Sequence, residues 1–194
     1  MLSRFGLFEG INEVVLSTVR EGVPNAAPMG VHIREGRCSL RVYEGSQTHA
    51  NLQCTPYCVA HVSYDPMLFV RSALSELSED EFGWHEVEGV ALPVLLGCEA
   101  YVAFRCAPLT ATNTISTFEL LPVDGKVLSP IPRAHNRGFA ALIEACVLAT
   151  RYVLFEDPKM LDDIVRMRAL AVKCGDASVK EAFELLLELL PVRE

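Results

Sequence analysis

The sequence predicts an α+β fold. An antiparallel β-barrel, closed or partly closed, fills residues 1–122, and a helical subdomain fills residues 123–194. Three observations predict it. The first part reads as six or so short strands punctuated by turn residues, with one short helix among them. Residues 122–133 then hold Pro122, Pro130 and Pro132 beside Asp124-Gly125, which reads as a linker. Beyond it, apolar residues recur at 139, 142, 143, 146, 147, 150, 153 and 154, the stripe of a helix.

Each element has its own signal. Ile11 to Val19 is rich in Val, Leu and Thr and reads as the first strand, closed by the turn Arg20-Glu21-Gly22. Ala26 to Ile33 and Cys38 to Tyr43 are extended runs around a polar turn, with Glu35-Gly36 as a hairpin turn. Gln47 to Cys54 is a short helix stopped near Pro56. Tyr57 to Tyr64 alternates as a strand does, and Asp65-Pro66 turns into a short strand at Met67 to Val70.

Ser72 to His85 is polar and acidic and reads as a helical excursion or mobile loop. Its plain reading is a solvated insertion. Its functional reading is a lid with Trp84 as an aromatic cover. Cys98 to Cys106 and Thr112 to Leu121 complete the strands. In the second part, a helix runs from Arg137 to Leu154. Asp157-Pro158 is an N-cap with Pro at the first helical position, opening a helix to about Val172. Ser178-Val-Lys-Glu181 is a capping box opening the last helix, to about Leu190.

The stretch Pro24 to Leu52 carries the chemistry. Asn25-Ala26-Ala27-Pro28-Met29-Gly30 has little side-chain bulk, so a flat ring can approach its backbone. Pro28 lacks an N–H and belongs on an edge strand or at a bulge. Ser46, Thr48 and Asn51 stand at the start of the short helix. Free N–H groups and the helix dipole there suit a phosphate, and the side chains add hydrogen bonds. The plain reading of the same three residues is an ordinary N-cap and turn. His49, in the same turn, is expected to be exposed or beside a cofactor rather than a general base.

The pattern P-N-A-A-P-M-G-V, a hairpin, then Y-E-G-S-x-T-x-x-N-L resembles the FMN-binding split-barrel superfamily. It is most similar to an uncharacterised branch, a domain of unknown function. The run Gly10 to Val15, the pair Asn136-Arg137 and the pair Thr150-Arg151 extend the resemblance over nearly the whole chain. The resemblance implies an FMN-binding split barrel and a homodimer. It implies a cofactor-binding set of Asn25, Ala26, Ala27, Pro28, Met29, Gly30, Tyr43, Ser46, Gln47, Thr48 and Asn51. It implies no known substrate. The first hypothesis for function is a flavin-reductase-like oxidoreductase acting on a small-molecule substrate or electron donor such as NAD(P)H. The alternatives are a non-catalytic flavin carrier or a regulatory ligand-binding protein, with a link to pterin one-carbon metabolism as a further idea.

Composition excludes other classes. The formal net charge is −8, which argues against a nucleic-acid partner. The seven cysteines form no C-x-x-C, which points to reduced thiols in a cytoplasmic protein. No His and Cys pairs have zinc spacing, so no metal site is expected. The N-terminus lacks a signal-peptide pattern, and the apolar run Val90 to Cys98, broken by Pro93, is too short to span a membrane. There is no G-x-G-x-x-G, P-loop, G-x-S-x-G or H-E-x-x-H motif.

Arg137, Glu144 and Arg151 recur at heptad spacing on one helix, so they share one stripe. Apolar residues on its flanks suggest a buried helix whose arginines pair with carboxylates at a domain or dimer interface. The sharper reading has one arginine reaching the flavin phosphate or an anionic substrate.

Overall fold

The computed structural model describes residues 2–129 and 136–191. A 3-10 turn, Leu2–Phe5, precedes β1 (Gly10–Arg20), β2 (Val23–Arg34) and β3 (Arg37–Tyr43). Helix α1 (Gln47–Cys54), β4 (Tyr57–Val62) and helix α2 (Pro66–Leu74) follow. A hairpin of β5 (Phe82–Val87) and β6 (Val90–Leu95) leads to β7 (Ala100–Ala111) and β8 (Ile115–Val127). The C-terminal helices are α3 (Arg137–Phe155), α4 (Pro158–Cys174) and α5 (Ala177–Leu189). Two compact units result: the strands with α1, and α2 with α3–α5.

Six strands close the barrel in the order β1-β2-β3-β8-β7-β4, every pair antiparallel. Glu-Gly pairs make the turns at 21–22, 35–36 and 88–89, both residues of each having positive φ, as two-residue hairpins of right-handed twist require. Alternate residues of each strand point inward. Val14, Leu16, Val31, Leu40, Val102, Phe104 and Leu120 form one apolar core with almost no exposure. A second cluster lies outside the barrel, where Val19, Val59, Tyr101 and Ala103 meet Val87 and Leu92 of the β5–β6 hairpin.

That hairpin corrects the expectation for the end of Ser72 to His85. The stretch begins in the last turn of α2, passes a loop and a 3-10 turn at Glu79–Glu81, and ends in β5. Two bonds fix the hairpin to the barrel. The Ser17 hydroxyl donates to Pro93 O, and the Leu95 N–H donates to His61 Nε2 at 3.0 Å. Such a fixed element is not a lid, although Trp84 is half exposed on it. Met67 to Val70 is helical rather than a strand, because Asp65 caps Met67 N and Pro66 starts the helix. This is the same Asp-Pro signature that opens α4.

Strand β8 continues to Val127, so residues 122–127 are strand and not linker; Pro122 and Gly125 are taken into its pairing with β7. Pro130, Pro132 and Arg133 lie outside the described residues. Asp176, not Ser178, caps α5: its carboxylate accepts from Val179 N and from the Ser178 hydroxyl, which holds it below its usual pKa.

The expected burial of the Arg137–Glu144–Arg151 stripe is also corrected. All three side chains are exposed, and among the described residues none makes an ion pair. The buried side of α3 is formed by Ala141, Leu142, Ala145, Cys146 and Ala149, which meet α4, α2 and α5. By length and composition α3 is apolar enough to cross a membrane, with a third of it buried.

Candidate functional site

The barrel is split on one side. Strand β2 pairs with β1 along its whole length, but with β3 only from Val31 to Arg34. Strand β3 turns away after Leu40 and pairs with β8 as far as Tyr43. The edge of Val23–Gly30 therefore has no strand partner among the described residues. Outward-directed N–H and C=O groups on such an edge offer hydrogen bonds to whatever docks there. Asn25 to Gly30 is half-buried throughout, on both faces. Small side chains and the proline account for this: Ala26, Ala27, Pro28 and Gly30 cover little of the backbone.

Gly30 shows how close the packing is on the outer face. A Cβ there would meet Ile11 Cγ2 at 3.1 Å and Glu13 Oε1 at 3.3 Å. Thus the glycine leaves room for its β1 neighbours, in addition to any role at the edge.

The chain leaves β3 at Tyr43 and enters α1 beside the split. Ser46 is the N-cap: its hydroxyl donates to Tyr43 O at 2.8 Å and accepts from His49 N at 3.2 Å. Both of these bonds are internal, so the hydroxyl's one proton is already committed. The N–H groups of Gln47 and Thr48 stand ahead of the first intrahelical bond, Ala50 N to Ser46 O. Free N–H groups at a helix start, with the helix dipole, are donors of the kind an anion accepts from.

Behind the helix start lies a polar cluster facing the barrel end. Asn51 is fully buried; it donates to Thr18 Oγ1 at 3.0 Å and accepts from Gln47 Nε2 at 2.8 Å. Asn25 Nδ2 reaches Thr48 Oγ1 at 3.5 Å. The structure thus brings together Asn25, Gln47, Thr48 and Asn51, and adds Thr18, which sequence reasoning missed. Only alternation along β1, which turns Thr18 inward with Leu16, pointed to it. Asn51 acts here as a brace between α1 and β1. Tyr43 lies half-buried at the end of β3.

His49 is buried, not exposed. Its Nε2 lies 3.6 Å from Glu44 Oε1 and 3.3 Å from Gln53 Nε2, and its ring faces Phe118. The Ser116 hydroxyl donates to the same Glu44 carboxylate. His61, in the barrel wall, donates from Nδ1 to Val15 O at 2.9 Å and accepts at Nε2 from Leu95 N. Burial lowers its pKa to about 4, so it is neutral at pH 7. Among the described residues no cluster of His, Cys, Asp and Glu suits a metal ion. A cavity of about 730 Å³ lies elsewhere, between the Leu2–Phe5 turn, the β2–β3 hairpin and the middle of β8. It contains none of the residues at the split.

Comparison with known proteins now decides the family. The model described as the protein of unknown function (DUF447) N-terminal domain matches residues 12–129, and that of protein of unknown function (DUF447) matches residues 136–188. The chain belongs to the DUF447 family. A crystal structure of another family member, the FMN-bound protein MM1853 from Methanosarcina mazei, is 38% identical, with a TM-score of 0.92. The match covers 98% of this chain and all of that one. The uncharacterized protein MJ1453 of Methanocaldococcus jannaschii is 24% identical over 93% of this chain and 98% of its own length.

More distant likenesses concern the barrel alone. Flavoredoxin from Methanosarcina acetivorans is 13% identical, covering 61% of this chain and 69% of its own, with a TM-score of 0.51. The flavin reductase HpaC, complexed with NADP+, is 15% identical over 65% of this chain and 82% of its own, with a TM-score of 0.53. The DUF447 chain therefore has the FMN-binding split-barrel fold with an added helical part, as its sequence predicted.

Proposed function

We propose that the chain binds FMN at the split between β2 and β3. The observation that carries the reading is the unpaired, small-residue edge of β2 beside the N-terminus of α1. Ala26, Ala27 and Gly30 leave the backbone open to a flat ring, and the N–H groups of Gln47 and Thr48, which precede the first intrahelical bond, would serve as phosphate donors. The whole-length likeness to an FMN-bound family member supports the same assignment. Thr48 Oγ1 still has its proton to donate, whereas Ser46 and Asn51 hold the frame. When bound, FMN would supply hydride and electron transfer.

This chain's residues would bind, orient and partly cover the flavin, in a flavin-reductase-like oxidoreductase with a small-molecule electron donor such as NAD(P)H. With no dinucleotide-binding motif in the sequence, a nicotinamide would visit the same site as a substrate. We place the protein in the cytosol, in keeping with its seven free cysteines. We also infer a two-fold dimer that brings the open β2 edge near the interface, since unpaired edges in folded proteins are usually covered. A second reading, a flavin carrier, is favoured by one observation: Asn25 to Gly30 contains no acid or base.

Titration with FMN and riboflavin tests the reading. The wild-type protein should give saturable quenching of FMN fluorescence. Thr48→Ala should weaken FMN several-fold more than riboflavin, because riboflavin has no phosphate. Ser46→Ala should instead lower stability by about 1 kcal/mol, as lost N-caps do, and weaken both flavins alike. No saturable response to FMN in the wild type would sink the proposal.

A further inference from the structure

The cavity of about 730 Å³ takes no part in the flavin reading. It lies at the barrel end remote from α1. Strand β3 shows the separation: Arg37 and Cys38, at its start, line the cavity, and Tyr43, at its end, leads into the α1 corner. Five residue steps of strand, from Cys38 to Tyr43, keep the two places roughly 17 Å apart.

The floor of the cavity is apolar. Ile33, Cys38, Val102 and Leu120 belong to the barrel core, and Phe5 and Leu7 join them in one cluster; all six are buried. The wall is tied in place on three sides. The Leu2–Phe5 turn is closed by the Gly6 N–H, which donates to Ser3 O at 3.1 Å. The Phe8 N–H donates to Asn12 Oδ1 at 2.9 Å, and Asn12 Nδ2 donates to Phe8 O at 2.7 Å. The Glu35 N–H donates to Glu9 Oε1 at 2.7 Å, which fastens this segment to the β2–β3 hairpin. Gly125 lets the Phe5 ring seat against β8, since a Cβ there would meet Phe5 Cζ at 2.9 Å. A preformed space of this size, apolar inside with a few charged groups around it, has the build of a small-molecule site.

Charge selects the ligand. Two of the lining acids already have partners. Glu9 accepts from the Glu35 N–H, and Asp124 accepts from His85 Nε2 at 2.6 Å and from the Gly125 N–H at 2.7 Å. The Arg4 guanidinium lies 4.5 Å from the centroid of the Phe5 ring, beside the apolar floor. Arg37 is exposed and makes no ion pair among the described residues. The third lining acid, Glu119, is half-buried and also makes none. Two guanidinium groups against one uncommitted carboxylate leave the cavity positive.

We propose that this cavity binds a small molecule with an apolar body and one anionic head, a carboxylate of the arylacetate kind. The body rests on the apolar floor. Arg4 and Arg37 hold the head, because a guanidinium matches a carboxylate in charge and in fork geometry. The site stands apart from the flavin reading, so either can fail without the other.

An NMR titration of the ¹⁵N-labelled full chain tests this, with three probes that differ only in the head. They are 1-naphthylacetate, its neutral amide 1-naphthylacetamide, and the cation 2-(1-naphthyl)ethylamine. The carboxylate should saturate with a dissociation constant near or below about 1 mM, ordinary for a ligand of its size. Its shifts should centre on residues 2–9, 33–38 and 119–124, and FMN should not displace it. The amide should bind several-fold more weakly and the amine more weakly still. Arg37→Gln should weaken the carboxylate by roughly threefold, the scale of one exposed charge pair, and leave the amide unchanged. Glu119→Gln should strengthen the carboxylate by a similar factor. No saturation by any probe in the low millimolar range would overturn the proposal. So would shifts centred on residues 25–30 and 46–51, or displacement by FMN, since the probe would then occupy the split. An amide or amine that binds as tightly as the carboxylate, or an Arg37→Gln variant that weakens all three probes alike, would overturn the anionic class.

Discussion

His61 shows what one buried side chain can impose. Sequence alternation placed it in a strand but could not tell that both ring nitrogens would be used, one toward Val15 and one toward Leu95. The second bond needs an unprotonated Nε2, so protonation breaks the tie between barrel and hairpin. Burial is the cause of the pKa falling to about 4, against an ordinary 6.5. The sign follows from linkage. Between those two values the unfolded chain takes up a proton that the folded chain refuses, so stability falls as pH falls. The full contribution is present above about pH 6.5 and is on the order of 3 kcal/mol. Urea unfolding at pH 7 and pH 4.5 should show that decline in the wild type. His61→Asn, which does not titrate, should be less stable at pH 7 and show a decline smaller by roughly 2–3 kcal/mol. Equal pH slopes for the two proteins would refute this account. Ser46 teaches a related lesson. Its type and position identified an N-cap, but only the bond to Tyr43 O revealed that its proton was spent.

At the scale of elements, the strands β1 to β4, helix α1 and the three C-terminal helices were legible from periodicity and caps. The failures have local physical reasons. Met67 to Val70 is an apolar tetrad with no period of its own, and the Asp65-Pro66 cap outweighed it. Residues 122–127 carry Pro and Asp-Gly, yet the pairing with β7 absorbs them by a register shift between Ala103 and Phe104. The β5–β6 hairpin hid behind an acidic approach, and its Glu88-Gly89 turn was the signal available for it. Burial of α3 was overestimated because its exposed face is itself apolar. The packing that fixes the helical unit depends on a glycine. A Cβ on Gly138, at the start of α3, would overlap the backbone of Gly175 at the end of α4. Gly138→Ala should therefore cost about 1–3 kcal/mol despite alanine's better helix propensity, because overpacking dominates. Thermal melting of the variant checks this; a melting temperature equal to or above wild type would show that the two helix ends can separate freely.

For the whole molecule, the fold answers what the flavin reading requires: a barrel whose one opened seam lies next to one helix start. The residues of the seam were legible because small side chains, a proline and hydroxyls fell in one run of sequence. What remained hidden was the division of labour behind it, with Thr18 and Asn51 bracing and His49 buried against Glu44. That division bears on mechanism. Orientation of a bound ring by backbone groups needs no proton-transfer side chain, and Asn25 to Gly30 contains none. The nearest candidates in sequence are His32, half-buried on β2, and His49. If the chain reduces bound FMN with NADH or NADPH, His32→Gln and His49→Gln should keep the anaerobic reduction rate within about tenfold, or roughly 1.4 kcal/mol of barrier. His49→Gln should also lose some stability, because the Glu44 carboxylate loses a neighbour. Gly30→Val should act differently: its branched side chain collides with Ile11 and Glu13 beside the ring path, so FMN binding and reduction should fall together. Stopped-flow reduction at saturating FMN separates these outcomes. A loss above a hundredfold in either histidine variant, with FMN still bound, would assign that histidine a proton-transfer role. A carrier would behave otherwise again: no nicotinamide would reduce its flavin at a useful rate, and all the variants would differ in flavin affinity alone.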